Sequence, residues 1–281
     1  MSSTQTLPAV TPETGAAPKL SLADVSKSFA SSSGERVNAV EGINLVVEAG
    51  EFVCLIGPSG CGKSTVLNLI AGLEVPDSGR VLMDGVSIAG PGSERAMLFQ
   101  EPTLFPWMSV IDNVSYPLRL KGIGAPERHA LANKWLSKVH LSNFAKAQPH
   151  ELSPGMRQRA ALARSLAVQP DVLLADEPFG GLDAQSRELL QHELEAVWTE
   201  TRNTFVFVTH NVREAVFLAD RVLLMSALPG TFIAEHRISA PRPRNLEDAL
   251  LVKVAGDIHD HVLKEVEKVV EAEVGVEPNL A

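Results

Sequence analysis

One stretch decides the fold of this 281-residue chain: Gly57-Pro58-Ser59-Gly60-Cys61-Gly62-Lys63-Ser64. It follows the apolar run EFVCLI at 51–56 and opens a segment, Lys63–Ala71, that reads as a helix. Glycines let the backbone curl so that successive N–H groups point at one phosphate, and the helix N-terminus adds partial positive charge. A G-x-x-x-x-G-K-[ST] pattern between a strand and a helix therefore predicts a phosphate-binding loop (P-loop) for a nucleoside triphosphate. An ordinary glycine-rich turn is the less favoured interpretation, because both flanks and the Lys-Ser pair agree.

The residue types in this loop predict individual roles. We expect the Lys63 ammonium to reach the β- and γ-phosphates and the Ser64 hydroxyl to ligate Mg²⁺. The residues expected to contact the nucleotide here are Gly57, Pro58, Ser59, Gly60, Cys61, Gly62, Lys63, Ser64 and Thr65.

A second motif lies at 172–177, where the apolar run VLLA ends in Asp176 and Glu177. Asp176 is suited to a water-mediated Mg²⁺ contact. Glu177 can accept a hydrogen bond from a water aligned on the γ-phosphate. An acidic pair after a strand is often only a solvated strand end. Here Pro178 and a glycine-containing turn follow, which favours the catalytic interpretation.

The third motif, Leu152-Ser153-Pro154-Gly155-Met156-Arg157-Gln158-Arg159, opens a helical segment. It resembles the L-S-G-G-Q signature of ATP-binding-cassette (ABC) ATPases. In that family, the signature of one subunit closes over the nucleotide held by the P-loop of another, so the resemblance assigns Ser153 and Gly155 to ATP in trans. Two positions depart from the pattern. Pro154 has no N–H to donate, although its fixed φ suits a helix start, and Met156 replaces the usual Gln.

The same resemblance, which covers about Leu20 to Arg237, assigns four further residues. Gln100 corresponds to the residue that senses Mg²⁺ and the attacking water, and His210 to the switch histidine that contacts the γ-phosphate. Asp183 corresponds to the acidic residue of the loop that pairs the subunits, and Phe29 to the ring that stacks on adenine. The implied Mg²⁺ ligands are Ser64, Gln100 and Asp176, and the implied catalytic residues are Glu177, His210 and Gln100.

The predicted fold class is α/β, a P-loop NTPase with an antiparallel β subdomain and an inserted helical subdomain at about 101–168. We expect a disordered tail at 1–18, which is rich in Ser, Thr, Pro and Ala, and an ATPase domain at 19–240. A helical extension should follow at 241–281, with apolar residues at helical spacing. Packing of this helix on its own domain is favoured over a dimerisation or regulatory role. The apolar positions are Leu250, Val254, Ile258, Val262 and Val269.

Composition restricts the function further. The formal net charge is −9 and the pI about 5.4, without a basic run, so we expect no nucleic-acid partner. Cys54 and Cys61 lie in an apolar strand and in the P-loop, positions that fit a reducing compartment without disulfides. No stretch approaches the ~18 apolar residues of a membrane span. If the protein moves a solute, other chains form the pore.

An apolar loop follows Gln100, with Phe105 and Trp107 at its centre. Exposed apolar clusters mark interfaces, although such a loop can also be anchored in its own core. In importing ABC systems this segment meets the membrane subunit, so the resemblance assigns Phe105 and Trp107 to permease coupling. The loop and the later segments 214–221 and 225–230 are similar to those of nitrate, taurine and aliphatic-sulfonate importer ATPases.

The resemblance implies ATP and Mg²⁺ as ligands and an integral membrane permease as partner. It also implies a periplasmic or extracellular solute-binding protein and a homodimeric or paired cassette. The chain is expected on the cytoplasmic side of the inner membrane, as a peripheral subunit. Two alternatives remain open. A soluble ABC ATPase acting on nucleic acid or ribosomes typically has paired cassettes or coiled-coil insertions, and a P-loop kinase leaves the signature segment unexplained.

Overall fold

The structure is a computed structural model that describes residues 17–31 and 34–274, with side chains described as far as residue 270. Most of the tail predicted at 1–18 therefore lies outside the described residues. The chain divides into two compact units. The first contains the described residues up to Pro91 together with those from Val206 onward, and the second contains Gly92–Phe205.

The elements are numbered in chain order. The strands are β1 (Leu20–Ala30), β2 (Arg36–Val47), β3 (Phe52–Ile56), β4 (Ser78–Met83), β5 (Val86–Ser87), β6 (Arg95–Leu98), β7 (Val172–Asp176), β8 (Thr204–Val208), β9 (Arg221–Met225) and β10 (Phe232–Arg237). The α-helices are α1 (Lys63–Ala71), α2 (Val110–Leu120), α3 (Ala125–Lys138), α4 (Pro154–Ala167), α5 (Ala184–Thr201), α6 (Val212–Leu218) and α7 (Ala249–Val274).

The first unit contains the predicted antiparallel sheet, in the strand order β2-β1-β4-β5. Leu20 pairs with Val47 on one side and with Met83 on the other, and all three side chains are buried. The alternation of buried and exposed residues along β1 and β4 is typical of a sheet with one covered face.

The strand before the P-loop lies in the core of the same unit. All five residues of β3 are buried, as expected for a strand covered on both faces. β3 pairs in parallel with β9, with Cys54 opposite Val222, and β10 adds an antiparallel strand beside β9. The Phe52 ring lies 5.9 Å from that of Phe207. This packing fixes the carboxyl end of β3, from which the P-loop emerges.

The C-terminal extension is bonded to the rest of the first unit. The Arg244 guanidinium is buried and donates to the carbonyls of Val216, Phe217 and Ala219 at the end of α6. These are the acceptors that a helix leaves unpaired at its C-terminus, where a cation is favourable. This contact holds the segment before α7 on the first unit, and α7 in turn packs on α6.

The second unit contains β6 and β7, paired in parallel with Ala96 opposite Leu173, and the helices α2 to α5. Helix α2 begins at Val110, because the Ser109 hydroxyl accepts a hydrogen bond from the Asp112 N–H (3.2 Å). Within residues 17–31 and 34–274, no helix combines the length and apolar character that crossing a membrane requires.

Candidate nucleotide site

The P-loop conformation depends on glycine at two positions. Gly62 adopts φ +94° where α1 begins, and a Cβ there would lie 2.6 Å from the Ala39 carbonyl oxygen. A Cβ on Gly57 would lie 2.9 Å from the Met225 carbonyl oxygen. Both distances are shorter than real contacts allow, so the backbone packs closely at both ends of the loop and forms the cradle that a phosphate group needs.

Lys63 is held within this cradle. Its ammonium donates to the carbonyls of Gly57 (2.9 Å) and Pro58 (2.8 Å), and the side chain is only 6% exposed. The Cys61 sulfur lies 3.8 Å from the same nitrogen. Burial raises the pKa of the Cys61 thiol despite the nearby cation, so this cysteine is a packing residue rather than a thiolate. A buried ammonium in a glycine-rich loop at the N-terminus of a helix fits a polyphosphate.

His210 lies close to the P-loop strand in the first unit. It follows Thr209, whose N–H donates to the Leu55 carbonyl of β3 (3.2 Å). The Asn211 side chain then accepts from the N–H of Arg213 (3.0 Å) and begins α6. The structure therefore brings His210 and the P-loop to the carboxyl ends of adjacent strands, where ligands of parallel sheets bind.

Phe29 lies near the end of β1 in the antiparallel sheet and is 40% exposed. The Lys27 ammonium lies 5.3 Å from its ring centroid and is held there by the Val75 carbonyl (2.8 Å). The ring is thus fixed but retains open surface. The adenine contact implied for Phe29 stays a prediction.

Glu177 has an unusual backbone. β7 ends at Asp176, and Glu177 itself adopts φ +43°, a left-handed conformation that is uncommon for residues other than glycine. The Glu177 carbonyl accepts from the Gly180 N–H (3.0 Å), which closes the turn. Such strained positions persist where the surrounding structure determines them and are frequent at functional sites.

Gln100 lies against this turn. A Cβ on Gly180 would lie 3.3 Å from Gln100 Nε2 and 3.4 Å from the Glu177 carbonyl oxygen. Glycine at 180 therefore leaves room for the Gln100 side chain beside the Glu177 turn. Gln100 and Glu177, two of the three residues implied in catalysis, thus lie together in the second unit.

The signature segment begins α4 through Ser153. Its hydroxyl oxygen accepts from the Met156 N–H (3.3 Å), and Pro154 occupies the first helical position. A Cβ on Gly155 would lie 3.3 Å from that of Ser186. The departure at Pro154 is therefore compatible with a well-formed helix start.

Asp183 begins the neighbouring helix α5. Its carboxylate accepts from the Ser186 N–H (2.9 Å), and hydrogen bonds from Ser186 lower the pKa of Asp183. Because a Cβ added to Gly155 would meet Ser186, the two segments that were predicted to meet a nucleotide in trans lie close together.

The sequence did not reveal Asn113, which organises the apolar loop. Its buried amide accepts from the Phe105 N–H (2.7 Å) and donates to the carbonyls of Phe105, Met108 and Ser109. A buried Asn in a helix carries no sequence motif, because its partners are backbone groups. Arg164, which donates to the Thr103 carbonyl (2.8 Å), was missed for the same reason.

The second unit also contains an open groove of about 810 Å³ beside this loop. Phe105 contacts the rings of Tyr116 (4.8 Å between centroids) and Trp107 (5.6 Å). Trp107 is 72% exposed, so it is not anchored in the core of this chain. The lining residues include Phe99, Phe105, Tyr116, Leu120, Arg164 and Val168.

Comparison with known proteins agrees with this geometry. The family profile for ABC transporters matches residues 40–180, which contain the P-loop, the signature and the Asp176-Glu177 pair. The chain belongs to the ABC transporter ATPase family. The nitrate import ATP-binding protein NrtD of Synechocystis is 48% identical over 79% of this chain and 83% of its own length. The taurine import ATP-binding protein TauB of Burkholderia pseudomallei is 46% identical over 80% of this chain and 86% of its own.

Solved structures place this ABC ATPase in the same fold family. The dimeric structure of a bacterial ABC transporter cassette superposes with a TM-score of 0.70 and 32% identity, over 79% of this chain and all of that one. The predicted fold class is thereby confirmed, as is the family resemblance drawn from the three motifs.

Proposed function

We propose that this ABC ATPase energises the import of a small oxyanion, nitrate or a sulfonate such as taurine, through a separate membrane permease. The observation that carries this proposal is the high identity to nitrate and taurine import subunits over about four fifths of the chain. A periplasmic or extracellular binding protein would deliver the solute. The chain would act as a peripheral subunit at the cytoplasmic face of the inner membrane.

The apolar groove of the second unit supports a permease contact. Its aromatic wall contains Phe105, and Trp107 projects beside it. Exposed aromatic clusters of this kind mark interfaces. Asn113 and Arg164 fix the loop by bonding its backbone, so the docking surface is preorganised.

The proposed hydrolysis assigns one role to each residue. Lys63 neutralises phosphate charge, and the loop N–H groups hold the phosphates in place. Glu177 accepts a proton from the attacking water, which Gln100 orients. His210 donates a hydrogen bond to the γ-phosphate, where negative charge accumulates during transfer.

The residues proposed to hold Mg²⁺ are Ser64, Gln100 and Asp176. They offer a hydroxyl, an amide oxygen and a carboxylate, an all-oxygen set that suits this hard cation. Bound Mg²⁺ would offset the charge of the β- and γ-phosphates. Ser64 lies in the first turn of α1 and is exposed, so its hydroxyl is accessible to a ligand.

We further propose that two cassettes close head to tail over ATP, with Ser153, Gly155 and Asp183 of one facing the P-loop of the other. The Gly155 N–H lies in the first turn of α4, where backbone donors have no partner within the helix. Such donors and the partial positive charge of the helix favour an arriving phosphate.

Pro154→Gly tests this arrangement. We expect the change to strengthen ATP-dependent pairing by about 1 kcal/mol, because an added N–H to phosphate is worth about 1.5–3 kcal/mol and the extra chain entropy costs only about 0.4–1 kcal/mol. ATP affinity of the monomer should stay unchanged. Light scattering with ATP in a Glu177→Gln background measures the pairing. Pro126→Gly, in the first turn of α3, is the control, and equal pairing of Pro154→Gly and the parent would contradict the expectation.

The import function is tested by reconstitution. The chain is co-purified from detergent-solubilised membranes with its permease and placed in vesicles with the binding protein. ATP hydrolysis is then measured with nitrate, taurine, an alkanesulfonate and phosphate. Stimulation by nitrate or by the sulfonates supports the proposal. Recovery without a membrane partner, or stimulation by phosphate alone or by no solute, would overturn it.

A further inference from the structure

Helix α7 has a second apolar face besides the one that packs on its own unit. Leu251, Ile258 and Glu265, at intervals of seven residues, are buried. Another set of apolar side chains on the same helix is exposed. They are Val252 (50%), Leu263 (45%), Val266 (38%) and Val270 (51%).

The exposed side chains define a stripe along one side of α7, with Gly256 and His259 between Val252 and Leu263. Together with Gly256 and His259, Val252, Leu263, Val266 and Val270 fall on one side of a helix with 100° per residue. The stripe spans about 27 Å along α7 at 1.5 Å per residue. Isolated exposed apolar residues are ordinary, but a stripe along a whole helix indicates a partner.

We propose that the α7 helices of two copies of this chain pair antiparallel along this stripe, without nucleotide. The pairing goes beyond the import function and does not depend on it. An antiparallel alignment centred on residue 261 places Val252 against the partner's Val270 and Gly256 against the partner's Val266. Because a twofold axis repeats each contact, the one stripe supplies both surfaces.

Charge supports this orientation. Asp260 and Lys264 are exposed on one flank of the stripe, and neither forms an ion pair within residues 17–31 and 34–274. The antiparallel alignment places Asp260 next to the partner's Lys264 on each side of the axis. A parallel pair would place this flank on opposite sides of the interface in the two copies, so Asp260 could not meet the partner's Lys264.

Gly256 allows a close approach at the stripe. A Cβ on Gly256 would meet no atom within 4 Å, so nothing in its own chain requires glycine there. Glycine within a helix costs about 1 kcal/mol relative to alanine, and this cost is offset if another helix packs against the bare backbone.

The stripe also borders the switch histidine. Ala255, Gly256 and His259 of α7 and His210 and Arg213 at the start of α6 line one open cleft of about 510 Å³. All five belong to the first unit. Pairing through α7 would therefore hold a second copy beside His210 before ATP binds.

The test measures the mass of the nucleotide-free full chain by light scattering and sedimentation equilibrium. We expect a concentration-dependent dimer. Gly256→Lys should raise its dissociation constant about tenfold or more while raising the melting temperature of the monomer, because lysine is the better helix former. Leu263→Glu should weaken pairing equally. Val75→Glu, at an exposed valine outside α7, is the control.

Charge reversal tests the orientation. Asp260→Lys alone should weaken the dimer, and adding Lys264→Asp should restore it. A monomer at every concentration, or a dimer that Gly256→Lys leaves unchanged, would overturn the proposal. Failure of the added Lys264→Asp change to restore pairing would also overturn it. Docking of α7 on the permease or on lipid would leave the free chain monomeric. Because this experiment contains neither nucleotide nor permease, a failure of the pairing proposal does not count against the import function.

Discussion

Glu177→Gln is expected to slow ATP hydrolysis by about 10²- to 10⁴-fold, the usual contribution of a general base. The amide keeps the shape of the carboxylate but cannot accept the proton of the attacking water. ATP binding should persist, because Lys63 and the loop N–H groups are unchanged. The variant should therefore accumulate as an ATP-bound dimer.

Steady-state phosphate release and equilibrium ATP binding separate these two effects. Glu127→Gln makes the same chemical change at an exposed carboxylate in the first turn of α3 and should retain full activity. Near-normal turnover of Glu177→Gln in the reconstituted transporter would remove Glu177 from the catalytic role. Equal loss in both variants would indicate a general effect of lost charge.

The P-loop was predictable because its chemistry is local. The motif, the preceding apolar run and the Lys63–Ala71 helix all lie within 51–71, and the structure has each of them in place. The left-handed backbone of Glu177 was not predictable. A positive φ at a non-glycine residue depends on the surrounding turn and has no signal in residue type.

The roles of residues that bond distant backbone groups could not be predicted from the sequence either. Arg244 follows Pro241 and Pro243 in the predicted extension and carries no motif, yet its buried guanidinium binds the end of α6. Asn113 reads as an ordinary helical residue, yet it fixes the apolar loop. Both depend on tertiary packing, which overrides local propensity.

The spacing of apolar residues predicted the C-terminal helix correctly but assigned part of its buried face wrongly. The sequence placed Leu250 and Ile258 on one apolar side. Ile258 is buried as expected, but Leu250 is 43% exposed and its neighbour Leu251 is buried instead. Glu265 fills the next buried position, where its carboxylate accepts from the Ala227 N–H (3.1 Å). Apolar residues on two sides of a helix leave its orientation undetermined until both partners are known.

Trp107→Ala is expected to abolish permease docking and solute uptake while leaving ATP binding by the isolated chain intact. Trp107 is 72% exposed, so truncation leaves no cavity in the free protein and its melting temperature should change little. If the ring is an interface anchor, its loss costs about 2 kcal/mol or more, about thirtyfold in affinity. Phe144→Ala, at a half-exposed ring of the same unit outside the groove, is the matched control.

The measurements are recovery of the permease complex, solute uptake, and the melting temperature of the free chain. Loss of complex with an unchanged melting temperature assigns Trp107 to docking. Full recovery and uptake would count against the coupling role. A lowered melting temperature with an intact complex would instead mean that the ring stabilises its own loop. The distinction is sharp because Phe105 is fixed by Asn113 and Arg164, whereas most of the Trp107 surface has no contact within its chain.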